Sequence, residues 1–372
     1  MDDKTRITAI LAKSEGTNLR GVIDELQIIA RGGMSHIYRA RQPSLDRYVV
    51  VKQLKDELFS NPEMLERFRR EAKALAAVLH QNVAHVYDFV ESGSQSYILM
   101  EYIEGADLSF ILSKLGQLPF EMAAAVALGI ARGVSYIHAH NLIHRDIKPA
   151  NIRLTTRGGV KLMDFGIVMN LDHENLTRPG LMVGSPSYLS PEQVLGDPIT
   201  HRADLFLIGI VLYEMLTGVR PFREEGGKTV FQAIRESQYV PLKKMRSTVP
   251  AALDRIVRRC LKVKPDDRFE NVKELIKELE SYLGGYRSSH IDDLVLRFLD
   301  QEAILTPAIP YLELDERKMS RRIFGIEWSW SIAALLVIGL GLGLGVGFWM
   351  GSHPGAVPNA PRPFPPTHSY NR

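Results

Sequence analysis

The sequence predicts an α+β protein: a strand-rich part, then a helix-rich part, then one membrane-spanning helix near the C-terminus. Three observations predict this. From Asp24, short β-branched and aromatic runs alternate with glycine and serine turns, interrupted by one helical pattern. From about Asp107 the apolar residues recur at helical spacing instead. Residues 328–361 contain no Asp, Glu, Lys or Arg, and within them the stretch from Ile332 to Met350 is apolar.

Residues 1–22 are polar and read as a loosely ordered extension. The opening MDDKTRITAILAKSEG is charged and lacks the continuous apolar core of a secretory signal. ELQIIA and HIYRAR read as strands around the glycine turn RGGMS, and RYVVVKQL as a third, β-branched strand. Asn61-Pro62 opens a helix over EMLERFRREAKALAAVL, with charges opposite its apolar face. VAHVYDFV and SYILMEYI read as two more strands about a Gly-Ser turn. Helices are then expected at LSFILSKLG, EMAAAVALGIARGVSYIHAH, LFLIGIVLYEMLTG, TVFQAIRES, ALDRIVRRCL and VKELIKELESYLG. Strands first and helices after make two lobes, and the cleft between them is the natural ligand site. Residues 23–284 form this two-lobed domain and residues 285–327 a connector, in which DDLVLRFLDQEAIL has the pattern of a short amphipathic helix.

Residues 328–350 carry the expected span. About 20 apolar residues cross a bilayer as a helix. Trp328, Trp330 and Trp349 stand at its two ends, where interfacial aromatics are favoured. Five glycines at alternate positions would weaken a helix in water, whereas lipid tolerates them. Arg317, Lys318, Arg321 and Arg322 precede the span, so the positive-inside rule puts the two-lobed domain in the cytoplasm and the proline-rich tail 351–372 outside. That is a single-pass protein of the cell membrane. The GxxxG spacings of Gly339, Gly343 and Gly347 would let two spans pack as a homodimer; a flexible anchor is the plainer reading.

Composition narrows the rest. A net charge of +3 is too mild to argue for nucleic acid. The single cysteine, Cys260, permits no disulfide within the chain and reads as a buried apolar residue of its helix.

Polar constellations then carry the chemistry. A glycine hairpin such as RGGMS lets backbone N–H groups approach phosphate oxygens. Lys52 ends the run VVVK on the same strand face as Val50, so it needs a negative partner or a phosphate; Glu71 follows on the helix. HRDIKPAN places Asp146 and Asn151 on a segment that Pro149 keeps from being a helix, and MDFG brings Asp164 after an apolar strand. Their hard oxygens suit Mg²⁺, which retains phosphate and water ligands. Each piece alone is a capped turn, but all of them in this order and spacing are not.

With Lys52 in VVVK, Glu71, HRDIKPAN, DFG and SPE at residues 190–192, residues 24–284 resemble the protein kinase family, most closely the eukaryotic-type (Hanks-type) serine/threonine kinases of bacteria that are anchored in the membrane. The resemblance implies the bilobal kinase fold, with a β-rich N-lobe holding one helix and a helical C-lobe. It implies ATP and Mg²⁺, with Mn²⁺ an alternative, and protein substrates bearing serine or threonine. Asp146 would orient the acceptor hydroxyl and take its proton, and Lys148 would neutralise the γ-phosphate. Asn151 and Asp164 would hold the metal, and Lys52, fixed by Glu71, the α- and β-phosphates. Ala30, Gly32, Gly33, Ser35 and Ile37 belong to the glycine loop over the nucleotide. Met100 guards the adenine pocket, the backbone from Glu101 to Ile103 pairs with adenine, and Asp107 contacts ribose or else caps a helix. Glu192 and Arg268 match a buried C-lobe ion pair, and Asp204 the aspartate that braces the catalytic loop. His144 matches a structural residue packed near Phe165.

The chain departs from the pattern at Ala30 and Ser35, where the loop has lost glycines, and at Phe206 and Leu207, where the family shows Trp or Tyr and then Ser. Arg145 would meet a phosphate on the activation segment, and Thr177 is the only hydroxyl residue between Gly166 and Gly184, which makes it the expected autophosphorylation site. The resulting expectation is a membrane-anchored Ser/Thr protein kinase. The alternative is a pseudokinase, a nucleotide-binding scaffold at the membrane.

Overall fold

A computed structural model describes residues 23–32, 34–92, 95–164, 186–224, 226–284 and 288–304. Five strands, β1 (Asp24–Arg31), β2 (Ser35–Gln42), β3 (Arg47–Leu54), β4 (Val86–Ser92) and β5 (Gln95–Glu101), form an antiparallel sheet in the order β1-β2-β3-β5-β4. The unbroken run of β3 has a reason: Val49, Val50 and Val51 are all buried, because each face of the sheet carries its own apolar cluster. Val50, Leu54, Ile98 and Met100 join the main core, while Val49, Val51, Tyr38 and Leu99 form a separate cluster on the other face.

Helix α1 (Pro62–Ala76) packs on this sheet. Asn61 caps it by accepting from the Glu63 and Met64 N–H groups at 3.0 and 3.3 Å, with Pro62 at the first position. Phe68, Ala72 and Leu75 face the core, and so does Glu71. The strand expected over VAHVYDFV begins only at Val86. Its first residues instead clip the sheet to the helical part: Ala84 N–H donates to the Leu162 carbonyl at 2.8 Å and Leu162 N–H to that of Asn82 at 2.9 Å.

The C-lobe is built around α3 (Phe120–Ala139), preceded by α2 (Leu108–Leu115). Among the described residues α3 alone is long and apolar enough to cross a membrane, and it lies buried in the core. Its small residues make room for a second sheet of β6 (Gly105–Asp107), β7 (Ile152–Thr155) and β8 (Val160–Leu162). A Cβ on Gly129 would lie 2.6 Å from the Val160 Cβ. Then come α4 (Pro191–Leu195), α5 (Arg202–Thr217), α6 (Val230–Arg235), α7 (Ala251–Cys260) and α8 (Val272–Leu283). Helix α5 is buried nearly all round.

A last helix, α9 (Ser288–Gln301), lies in the stretch read as a connector. It is docked on the lobe, burying Ile291, Val295, Phe298 and Leu299 in the main core, at the spacing of one helix face. Lys114 holds its C-terminal end, donating to the carbonyls of Glu302 and Ala303 at 2.9 and 3.2 Å. The expected membrane span 328–350, the tail and the extension 1–22 lie outside the described residues.

Candidate active site

Lys52, two residues before the end of β3, is the centre of the cleft. Lys52 pairs across the sheet with Ile37 and Ile98, so its side chain leaves the face that α1 covers. Its Nζ donates to Glu71 Oε1 at 2.7 Å and to Asp164 Oδ1 at 3.1 Å. Three elements far apart in the chain therefore meet at one ammonium. Burial by itself would lower the pKa of Lys52, but Asp164 and Glu71 reverse this and hold it above the ordinary lysine value. Burial likewise works against the Asp164 carboxylate, yet Lys52 keeps it below the usual range.

The HRDIKPAN segment is shaped by Asp204 at the start of α5. The wholly buried Asp204 carboxylate accepts the His144 and Arg145 N–H groups at 2.9 and 2.8 Å and meets His138 Nε2 at 2.8 Å. Burial would raise its pKa, but these partners, His138 first, hold it down. They also hold Arg145 in a left-handed conformation, φ +66°, and Gln193 donates to its carbonyl at 3.0 Å. Phe206 does not disturb this brace: it is buried, stacked on Phe222 at 5.6 Å, with the Arg268 guanidinium 4.8 Å above its ring.

The turn aims the polar groups. Lys148 Nζ lies 2.9 Å from Asp146 Oδ2. Asn151 Nδ2 donates to the Asp146 carboxylate at 2.7 Å and to its carbonyl at 2.9 Å, and reaches the Asp164 carbonyl at 3.4 Å. Asp164 has φ +42°, a second strained residue in the same cleft. With its amide nitrogen so engaged, Asn151 offers its oxygen as a ligand, and Asp164 has a carboxylate oxygen beyond the one on Lys52. That donor set, two hard protein oxygens, fits Mg²⁺, which keeps further positions for other oxygen ligands.

Around the nucleotide side, Ala30 pairs with Ile37 in the first hairpin, and Gly32 N–H donates to the Ser35 carbonyl at 2.8 Å. Met100 is buried in β5 between Val50 and Val86. The Glu101 N–H is already taken by the His85 carbonyl at 2.8 Å, and the Glu101 carboxylate by Lys161 at 2.6 and 2.7 Å. Asp107 stands at the N-cap position of α2 but makes no capping bond; its Oδ1 accepts from Arg153 Nη1 at 2.7 Å. In the C-lobe Arg268 and Glu192 form a buried two-bond pair at 2.7 and 2.8 Å. His144 is buried, and Asp146 N–H donates to its Nδ1 at 3.3 Å. Gly33, Phe165 and Thr177 lie outside the described residues.

Residues 23–279 match the protein kinase domain family. The chain belongs to that family. The kinase domain is 39% identical over 255 residues to the probable serine/threonine-protein kinase CPE1738 of Clostridium perfringens, which covers 68% of this chain and 37% of that protein. Over 302 residues the chain is 32% identical to the serine/threonine-protein kinase PrkC of Bacillus subtilis, covering 81% of this chain and 46% of that protein. It is also 34% identical over 275 residues to the tyrosine-protein kinase MasK of Myxococcus xanthus, covering 70% and 43%. The chain thus spans less than half the length of these relatives.

Sequence reasoning about the kinase domain missed His138, Gln193 and Arg153. His138 sits on an ordinary helical pattern and Gln193 in the SPEQ run that caps α4, and both reach the site only through the fold. Arg153 had a signal, an arginine inside the apolar strand IRL.

Proposed function

We propose that this chain is a membrane-anchored protein kinase that transfers the γ-phosphate of ATP to serine and threonine hydroxyls, its own among them. The observation that carries the reading is the Lys52 ammonium between Glu71 and Asp164, at 2.7 and 3.1 Å. A buried cation held by two carboxylates is matched to a polyphosphate with its metal. Phosphoryl transfer asks for positioning and charge neutralisation rather than covalent help.

In this reading Lys52 holds the α- and β-phosphates. Asp146 orients the acceptor hydroxyl and receives its proton, while Lys148, 2.9 Å from Asp146, faces the γ-phosphate. Asn151 and Asp164 hold the metal, which supplies positive charge at the phosphates. The Ile103 N–H and the Glu101 carbonyl are the hinge groups that pair with adenine, and Asp107 takes the ribose. Lys148, two residues after Asp146, favours serine and threonine acceptors. Thr177 is the autophosphorylation site, and its phosphate pairs with Arg145. Residues 328–350 anchor the kinase domain on the cytoplasmic face, and the glycine spacing supports a homodimer in the bilayer.

The scaffold alternative finds no support, because Lys52, Asp146, Asn151 and Asp164 are all present and brought together. The test is autophosphorylation of the full chain in detergent with labelled ATP and Mg²⁺, beside Asp146→Asn. Phosphothreonine or phosphoserine on the wild type alone is the expected result, with Thr177 among the mapped sites. Phosphotyrosine would move the acceptor class towards the one named for the Myxococcus relative. ATP binding without any label would favour a scaffold.

A further inference from the structure

Arg153 stands where the strand needs no charge. It lies on β7 between Ile152 and Leu154, both fully buried, and is itself only 2% exposed. An apolar side chain would serve the core as well, and a buried guanidinium costs several kcal/mol unless its donors are matched. Three of them are matched on one short segment. Nε donates to the Ile103 carbonyl, Nη2 to the Gly105 carbonyl and Nη1 to Asp107 Oδ1, each at 2.7 Å. The planar fork thus fixes residues 103–107, the stretch that leaves β5 and enters α2.

The backbone is built for the same contact. Asp107 faces Arg153 in the β6–β7 pairing. A Cβ on Gly105, at φ +149°, would lie 1.9 Å from the Leu154 carbonyl, so only glycine lets this segment approach β7. Asp107 gives up the cap of α2, a role open to an aspartate there, and turns to the arginine instead. The same strand follows directly on Asn151, so it ties the metal-holding turn to the segment that would hold base and sugar.

We propose that Arg153 is a positioning residue for nucleotide recognition: it orients the Asp107 carboxylate and the hinge carbonyls so that Asp107 selects the ribose hydroxyls. This rests on the kinase reading with Asp107 at the sugar. Without the guanidinium, a largely buried carboxylate loses the charge that fixes it and swings or takes a proton, and sugar selection goes with it.

The test compares KM and kcat for ATP and 2′-deoxy-ATP in the full chain and in Arg153→Leu, Arg153→Lys, Asp107→Ala and the Arg153→Leu/Asp107→Ala double variant. A hydrogen bond to a charged group is worth roughly a 10- to 100-fold preference. The wild type is expected to favour ATP by at least about 10-fold, and Asp107→Ala and Arg153→Leu to reduce that to about 2-fold or less. The loss falls on KM for ATP rather than on kcat, the double variant loses no more than either single one, and Arg153→Lys restores part of the preference. Retention of the full preference in Arg153→Leu, with its loss in Asp107→Ala, overturns the proposal and leaves the arginine a role in folding alone. Retention in Asp107→Ala removes Asp107 from the sugar and overturns it too, with the kinase reading intact. No turnover of ATP by the wild type overturns the kinase reading itself, and this proposal with it. If Arg153→Leu melts below the assay temperature, Arg153→Lys decides: a single ammonium cannot hold three acceptors in one plane, so an unchanged preference overturns the proposal.

Discussion

At the scale of single residues, the molecule concentrates its risk in a few buried charges. Arg268 and Glu192 are both nearly inaccessible, and the arginine also donates to the carbonyls of Lys262, Arg202 and Val263. Removing one partner of such a pair leaves the other charged and unpaired. Arg268→Ala is therefore expected to cost about 3–5 kcal/mol, read as a lower urea midpoint. Cys260 is a quieter case. Burial pushes its thiol from an ordinary 9.0 up to about 12. Above pH 9 the unfolded chain loses that proton while the folded chain keeps it, so stability falls as pH rises towards 12. The slope approaches about 1.4 kcal/mol per pH unit for this one group. Cys260→Ala should make the fall in stability between pH 9 and 10 shallower, leaving the part that the buried tyrosines contribute, as measured by urea unfolding.

At the scale of elements, close approach decides which helices belong to the domain. Gly209 on α5 has no room for a Cβ, which would lie 2.6 Å from the Cys260 Cβ on α7. Gly158, in the β7–β8 turn at φ +80°, is tighter still: a Cβ there would lie 2.0 Å from the Asp292 carbonyl of α9. Gly158→Ala is therefore expected to push α9 off the lobe. Hydrogen exchange should show residues 291–301 losing most of their protection while α3 keeps its own. Unchanged protection in 291–301 would mean that the turn yields instead of the helix.

At the scale of the whole molecule, the cleft joins two lobes that each hold part of one charge cluster. Lys52 and Glu71 come from the N-lobe, and Asp146, Asn151 and Asp164 from the C-lobe. A ligand that binds only this assembled cluster stabilises the fold by mass action. ATP with Mg²⁺ at about 100 times its dissociation constant should add about 2.7 kcal/mol to the unfolding free energy. Asp164→Ala should remove the Mg²⁺-dependent share of this gain, as followed by thermal unfolding with and without chelator.

The sequence by itself determined the order of elements and the main polar cast. Strand and helix periods are local, so β1 to β5, α1 and the C-lobe helices other than the short α4 were legible within a few residues. HRDIKPAN and Asp164 were legible because short runs that are each an ordinary turn alone occur together in one order and spacing. Tertiary structure decided what depends on contacts between distant segments. It gave Asp107 to Arg153 rather than to a helix cap, and the Glu101 N–H to His85 rather than to a ligand. It set His138 and Gln193 behind the HRDIKPAN turn, and docked α9 where the amphipathic pattern of 292–305 could say only that some apolar partner existed. Periodicity reports which face of an element wants burial. Which surface buries it, and which buried donor meets which acceptor, is fixed only when the whole chain has closed around them.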